Sequence, residues 1–269
     1  MNTRIHQIVW SFTLNLFKKK KRFPGIISDL KELESFIKML RPWKTDKPLI
    51  RLGSDHDGGY LVPDDLDGIH LLISPGVGNL SQFEKDCAER GMKVHLIDAS
   101  VSEIPDTHPN FVFHPVFLGG GNNEVPFSKF LSRLDLENYP GDWMLQMDIE
   151  GAEWENLIEI PVEVLNRFRI LVLEFHQMDN LFNAPYFNLV KKVLEKLSFN
   201  FEIVHIHPNN FSNKIQIEGI EIPRYLEFTF LRKDRIGSKE PARQFPHPLD
   251  QDCLSGGESL HLPSCWYDF

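Results

Sequence analysis

From residue 69 onward, short apolar runs alternate with stretches of helical period, and this alternation restricts the chain to an α/β fold. "IHLLIS" (69–74) reads as a strand, "SQFEKDCAER" (81–90) as a helix, and "KVHLID" (93–98) and "FVFHPVF" (111–117) as strands. "WMLQMDI" (143–149) is a further strand, residues 153–167 are helical, "RILVLEF" (169–175) is a strand and "YFNLVKKVLEKL" (186–197) a helix. Such an order implies parallel strands joined by right-handed crossovers. "NFEIVHIH" (200–207) and "YLEFTFLRK" (225–233) then follow with no helical period between them, only Pro, Asn and Gly, so these two strands are expected to pair antiparallel. The expected fold is a Rossmann-like three-layer sandwich whose mostly parallel, seven-stranded sheet ends in an antiparallel hairpin. That ending is the arrangement of class I methyltransferases, whereas a dinucleotide-binding sheet is usually parallel to its end.

The flanks differ in character. Upstream, Ser28 precedes "DLKELESFIKML" (29–40), where Leu30, Leu33, Ile37 and Leu40 recur at helical spacing behind an acidic first turn, a capped amphipathic helix. The tail after Arg235 is rich in Pro, Gly and His. We divide the chain into an N-terminal helical and basic extension (1–48), a catalytic domain (49–235) and an irregular C-terminal tail (236–269). The first residues, "MNTRIHQIVWSFTLNLFKKKKRFPG", lack the cleavage site of a signal peptide and are too short and mixed to span a bilayer. We read residues 10–22 as a docked or frayed terminal helix. The alternative is an interfacial helix making weak contact with anionic lipid through Lys18 to Arg22.

Charge and cysteine content narrow the partners. A formal charge of −9 over 269 residues argues against a nucleic-acid binder, which needs concentrated Lys and Arg. Three widely spaced cysteines, Cys87, Cys253 and Cys265, with no CxxC pair, fit a reducing compartment and no structural zinc. The expected location is cytoplasmic, with peripheral membrane attachment as the alternative; oligomeric state is left open.

The chemistry is expected at the carboxyl ends of the strands, where ligands of open α/β sheets bind. "ISPGVGNLSQFE" (73–84) follows the first core strand, and Gly76 and Gly78 let its backbone turn tightly and approach a ligand. Ser81 stands where a dinucleotide fingerprint has its third Gly. Asp98 ends the next strand, where an acid can accept both ribose hydroxyl protons, so loop and acid together suggest an adenosine-type ligand. Either NAD or S-adenosylmethionine satisfies that much, and a cationic donor suits nearby carboxylates. Three further strand exits carry polar groups: Asp148, Glu150 and Glu153; Glu174 and His176; and His205, His207, Asn209 and Asn210.

These residues carry a resemblance. "LQMDIEGAEWENL" (145–157) resembles the signature of FkbM-type S-adenosylmethionine-dependent methyltransferases, a hydrophobic strand followed by Lys-Ile-Asp-hydrophobic-Glu-Gly-Ala-Glu. "LVLEFH" (171–176) and "HPNN" (207–210) continue the match, and "RLGSDHDGGYLV" (51–62) resembles an Arg…Asp-Gly-Gly-Tyr segment in a branch of methyltransferase-like proteins. Gln146 replaces the family's Lys, and the glycine loop departs from its Asp-hydrophobic-Gly-Ala-Asn form. The resemblance implies methyl transfer from S-adenosylmethionine to a hydroxyl of a sugar, glycan or secondary metabolite. Ser74, Gly76, Gly78, Asn79, Asp98, Asp148 and Gly151 are then expected around the donor, and Arg51, Asp57, Tyr60, Glu153, Asn209 and Asn210 around the acceptor. A neutral imidazole can take the acceptor's proton, so His176 is the expected base, with His205 or His207 next and Asp148, Glu150 and Glu174 as supporting acids. A divalent metal is not required by this reading, although Asp148, Glu174, His176 and His205 have the right ligand chemistry. Two rivals remain: a metal-dependent glycosyltransferase that uses "DIE" as its Asp-x-Asp, and a non-catalytic methyltransferase-like binding module.

Overall fold

The computed structural model describes residues 25–268, so the N-terminal segment 10–22 lies outside the described residues. Helix α1 (Leu30–Met39) is followed by β1 (Trp43–Thr45) and a hairpin of β2 (Leu49–Gly53) and β3 (Gly59–Pro63). Next come β4 (Ile69–Pro75), α2 (Gln82–Glu89), β5 (Lys93–Ile97), β6 (Phe111–His114), β7 (Phe117–Leu118) and β8 (Glu124–Val125). Then follow α3 (Phe127–Leu131), β9 (Asp142–Met147), α4 (Glu153–Glu159), α5 (Val162–Leu165), β10 (Phe168–Phe175) and α6 (Ala184–Asn200). β11 (Phe201–Pro208), a small hairpin of β12 (Lys214–Ile217) and β13 (Ile220–Pro223), β14 (Leu226–Arg232) and β15 (Lys239–Pro241) complete the order. No described helix is long and apolar enough to cross a membrane.

Seven strands form one sheet in the order β11-β14-β10-β9-β4-β5-β6. Strands β10, β9, β4, β5 and β6 are mutually parallel, and β14 runs antiparallel to both β10 and β11. This is the expected class I methyltransferase arrangement, a mostly parallel α/β sheet with its antiparallel strand near one end. The last two sheet strands pair as expected, but the later one is the inner one: β14 inserts between β10 and β11. Its composition explains the position, since Leu226 to Leu231 are all buried, as an inner strand requires.

Local deviations have simple causes. The strand expected over 111–117 breaks into β6 and β7 at Pro115, which has no N–H for a ladder. The helix expected over 153–167 divides into α4 and α5 because Pro161 forces Ile160 into an extended conformation (φ −58°, ψ 125°). The cap of α1 is Asp29 rather than Ser28: Asp29 accepts from the backbone N–H groups of Lys31 and Glu32, while Ser28 donates to Leu181 O.

Two apolar layers cover the sheet. On one face Leu71, Leu145, Leu171, Leu173 and Phe228 pack against Leu33 and Phe36 of α1, Leu157 of α4 and Phe187 and Val190 of α6. On the other, Leu72, Met144, Ile170 and Val172 meet Phe83 and Cys87 of α2 and Leu52, Tyr60 and Val62 of the β2–β3 hairpin. Thr229 pins that hairpin by donating to Leu61 O at 2.7 Å. The flanking segments belong to the same body. β15 pairs with β1, and Trp266, fully buried in the first core, donates from Nε1 to Glu221 O at 3.0 Å.

The amino end of the sheet is closed by paired charges. Arg169 and Arg232 hold Asp142 at 2.7 and 2.9 Å, and Arg235 holds Asp65 at 2.8 Å. Burial works against these two carboxylates, but the guanidinium bonds outweigh it and keep both below the ordinary range.

Candidate active site

At the carboxyl end of the same sheet the charges are arranged in the opposite way. A cleft of about 350 Å3 opens between the glycine loop after β4, the exit of β9, and the 54–60 segment of the β2–β3 hairpin. Its volume is in the range of small-molecule sites. Asp57, Glu84, Asp98, Asp148, Glu150 and Glu124 line it, and no Lys, Arg or His does among the described residues. Val77, Leu80, Phe83, Ile97 and Phe117 supply apolar wall.

The two loop glycines do different work. Gly76 (φ +92°) sits against the β9 exit so closely that a Cβ would fall 1.5 Å from Asp148 O, so this glycine serves packing. Gly78 (φ +55°) has open space where a Cβ would be, and leaves its side of the cleft free. Asp98 ties the loop down: its two carboxylate oxygens accept from Gly78 N at 2.8 Å and Ser100 N at 2.7 Å. A carboxylate has about four lone-pair sites, so each oxygen retains acceptor capacity toward the cleft.

Below the cleft floor runs a buried chain of polar groups. Ser74 Oγ lies 2.5 Å from Glu84 Oε1 and 2.7 Å from Gln146 Oε1, and Gln146 Nε2 lies 3.3 Å from the Tyr60 hydroxyl. One serine proton cannot serve two acceptors. With Glu84 protonated, its carboxyl donates to Ser74, Ser74 donates to Gln146, and Gln146 donates to Tyr60, whose own proton is then free for the cleft. Burial pushes the Glu84 carboxyl up to about 7, consistent with a neutral Glu84 in this role. Because its folded pKa lies above the unfolded 4.5, the stability from neutral Glu84 is complete below pH 4.5 and is lost as pH rises through about 7. Glu84→Gln is therefore expected to be about 3 kcal/mol more stable than the parent at pH 8 and nearly equal at pH 4. Urea unfolding at both pH values checks this, and parallel pH dependences for the two proteins would reject it.

Beside the cleft, His176 is built into a carboxylate frame. Its Nδ1 is 3.0 Å from Glu153 Oε1, and its Nε2 faces Glu150 Oε2 at 3.5 Å and Asp148 Oδ1 at 3.7 Å. Glu153 is fully buried, and its Oε1 also accepts from Ile149 N and Gly151 N at 3.0 and 3.1 Å. The expected substrate contact at Glu153 is thus corrected: a carboxylate at the start of α4 fixes the turn and orients the imidazole from beneath. Burial opposes a charge on His176, but the Glu153 bond and the nearby carboxylates outweigh it and raise its pKa above the ordinary value. Burial pushes Asp148 and Glu174 well up, Asp148 next by the charge of Glu174 and Glu174 next by that of Glu227, its cross-strand neighbour. Both strand exits here are strained, with Glu150 and Gln177 in the left-handed region at φ 57° and 58°.

The other expected site residues divide clearly. Ser74, Gly76, Gly78, Asn79, Asp98, Asp148, Asp57 and Tyr60 gather at or under the cleft. Gly151 (φ +108°) lies off it, toward Gln177. Arg51 supports the hairpin loop by donating to Ser54 O and His56 O. Asn209 is buried and donates to Glu174 Oε1 at 3.0 Å, whereas Asn210, expected at the acceptor, instead holds the tail through Leu254 N and O. His205 and His207, expected as alternative bases, do not line the cleft and face Asp250 of the tail. Sequence reasoning missed Glu84, although it shares the buried face of α2 with Phe83, Cys87 and Ala88 and was the one charge on that face.

No family model matches the chain, and no curated protein matches it. Among solved structures it is similar to the fibrillarin pre-rRNA processing protein of Methanococcus jannaschii, with 11% identity and a TM-score of 0.36 over 70% of this chain and 83% of that one. It is also similar to 1,6-didemethyltoxoflavin-N1-methyltransferase of Burkholderia thailandensis, solved with S-adenosylhomocysteine, with 13% identity and a TM-score of 0.31 over 86% and 90% of the two chains. The 23S rRNA methyltransferase ErmE is a third, with 8% identity and a TM-score of 0.30 over 86% and 73%. At these scores the likeness is one of general arrangement and says nothing of substrate.

Proposed function

We propose that the chain is an S-adenosylmethionine-dependent O-methyltransferase of the FkbM type, acting on a hydroxyl of a sugar, glycan or secondary metabolite. The observation that carries this reading is the acidic lining of the cleft: Asp57, Asp98, Glu124, Asp148 and Glu150 beside a neutral Glu84, with no basic side chain among the described residues. A pyrophosphate or a nucleic-acid backbone is repelled by such a lining, whereas a sulfonium with a nearby ammonium is attracted. The acids at the opposite end of the sheet make the contrast sharper, since Asp142 and Asp65 are each held by arginine.

S-adenosylmethionine supplies a methyl group on a positively charged sulfur. Asp98 retains lone pairs for ribose hydroxyls, Gly78 leaves room for the donor, and Asp148 and Glu150 favour its cationic end. His176, oriented by Glu153, takes the acceptor's hydroxyl proton on Nε2 while the oxygen bonds to the methyl carbon and the carbon–sulfur pair leaves with sulfur. Residues 49–235 hold these groups in this reading, with 1–48 and 236–269 as flanking segments. The three cysteines are free thiols, which supports a reducing, cytoplasmic setting.

Calorimetry tests the donor. S-adenosylmethionine and S-adenosylhomocysteine are expected to bind, and NADH and a UDP-sugar are not. No binding of S-adenosylmethionine together with clear binding of a competitor would overturn the proposal. One observation favours the metal-dependent glycosyltransferase as a second reading: ligand atoms of Asp148, Glu174 and His176 all lie within 4.8 Å of one another. Binding of a UDP-sugar only when Mn2+ is present would select it.

A further inference from the structure

Away from the cleft, the edge strand β11 carries a second cluster of titratable groups. His205 and His207 are two residues apart and point to the same side of the sheet, with their rings 6.4 Å apart and 13° from parallel. The tail brings Asp250 to them: Oδ1 lies 2.8 Å from His205 Nε2, and Oδ2 lies 3.5 Å from His207 Nδ1. Asp250 is itself held in place by accepting from His247 N at 2.7 Å. All three side chains are nearly inaccessible, at 5, 9 and 5% exposed for His205, His207 and Asp250.

We propose that His205, His207 and Asp250 form a binding site for one divalent transition-metal ion of the zinc class, which fastens the C-terminal segment to the sheet edge. Three observations carry this. First, the ligand atoms all lie within 4.8 Å of one another. Ligands at about 2.0–2.2 Å from a common ion stand roughly 3–3.6 Å apart; the 2.8 and 3.5 Å separations, each to a different Asp250 oxygen, are close to this, and the two imidazoles draw together on the ion.

Second, neither ring nitrogen of His207 has a hydrogen-bond partner. A neutral imidazole has one donor and one acceptor and a charged one has two donors, so every protonation state leaves a buried polar atom unsatisfied. Coordination through Nδ1 satisfies one nitrogen and aligns the ring with Asp250.

Third, the donor set selects the ion. Two imidazoles and one carboxylate suit zinc and its neighbours, while magnesium and calcium prefer oxygen ligands throughout. Glu227 is directly across the ladder from His207, which places a further acidic side chain beside the site. His205 also borders a separate cleft of about 730 Å3, lined by β1, β15 and residues 242–248, from which a further ligand such as water can complete the coordination.

The test uses the full chain freed of metal with a chelator, then titrated with Zn2+ by calorimetry and with Co2+ by absorption spectroscopy. One ion per chain is expected. Asp250→Asn and His207→Gln should each weaken binding by about 100-fold or more, and Asp148→Asn should leave it unchanged, which separates this site from the cluster at the active-site cleft. Variant folding is checked by circular dichroism. A measurement on the unaltered chain avoids that issue: amide exchange in residues 236–268 should slow when Zn2+ is added. Absence of saturable binding, loss of binding in Asp148→Asn with retention in Asp250→Asn, or unchanged tail exchange in the Zn2+-bound chain would each overturn the proposal.

Discussion

Replacing His176 with Ala is expected to lower kcat by about 100- to 10,000-fold while leaving affinity for S-adenosylmethionine nearly unchanged. The split follows from position. His176 does not line the cleft, but its Nε2 faces Asp148 and Glu150, which do. Its Nδ1 is engaged with a fully buried Glu153, which leaves Nε2 as the nitrogen open for the proton transfer proposed above. The pH profile gives a second readout. A base must be unprotonated, and the His176 pKa lies above 6.5, so the rate should rise with pH and reach half its maximum above 6.5. Glu153→Gln removes the main group that raises this pKa, and the rising limb should move to lower pH. Unchanged turnover in His176→Ala, measured under saturating donor, would reject the assignment.

The second large effect concerns stability. Gly76→Ala is expected to cost about 4 kcal/mol or more, because the added carbon meets the main-chain oxygen of Asp148 at 1.5 Å in a left-handed backbone conformation. The obstacle is backbone at the exit of the neighbouring strand β9, so no side chain can swing aside. Gly78→Ala is the internal control. It shares the positive φ but has nothing within 4 Å of the new carbon, so only conformational strain of about 1–2 kcal/mol applies. Urea unfolding midpoints compare the two directly. Equal losses would show that the contact between the glycine loop and the β9 exit is not as tight as the structure has it.

Period and punctuation made the sheet legible. The runs at 69–74, 143–149 and 169–175 are apolar enough to be inner strands, and each coincides with one to within a residue or two. The missing helix between residues 207 and 225 foretold the antiparallel pair, yet nothing in either strand's pattern said which would lie inside. The polar strand exits were legible for a related reason: Asp148, Glu150 and His176 stand where an apolar run stops. Alternation could place His205 and His207 on one face, but it could not say what covers that face. Asp250 does, from 45 residues beyond His205, through an irregular segment with no periodic signal. Glu153 was expected at the acceptor because it stands at a polar strand exit, and here the turn after β9 folds that acid inward.

The insertion of β14 also dictates an order of assembly. Among the described residues β11 has β14 as its sole hydrogen-bonded neighbour in the main sheet, so residues 201–208 cannot join that sheet until the chain has been made as far as residue 232. Parallel strands β4, β5, β6, β9 and β10 can associate earlier, as their segments emerge. The far edge of the sheet stays open until β14 is in place. Asn209, which holds Glu174, takes its place only after that edge has closed.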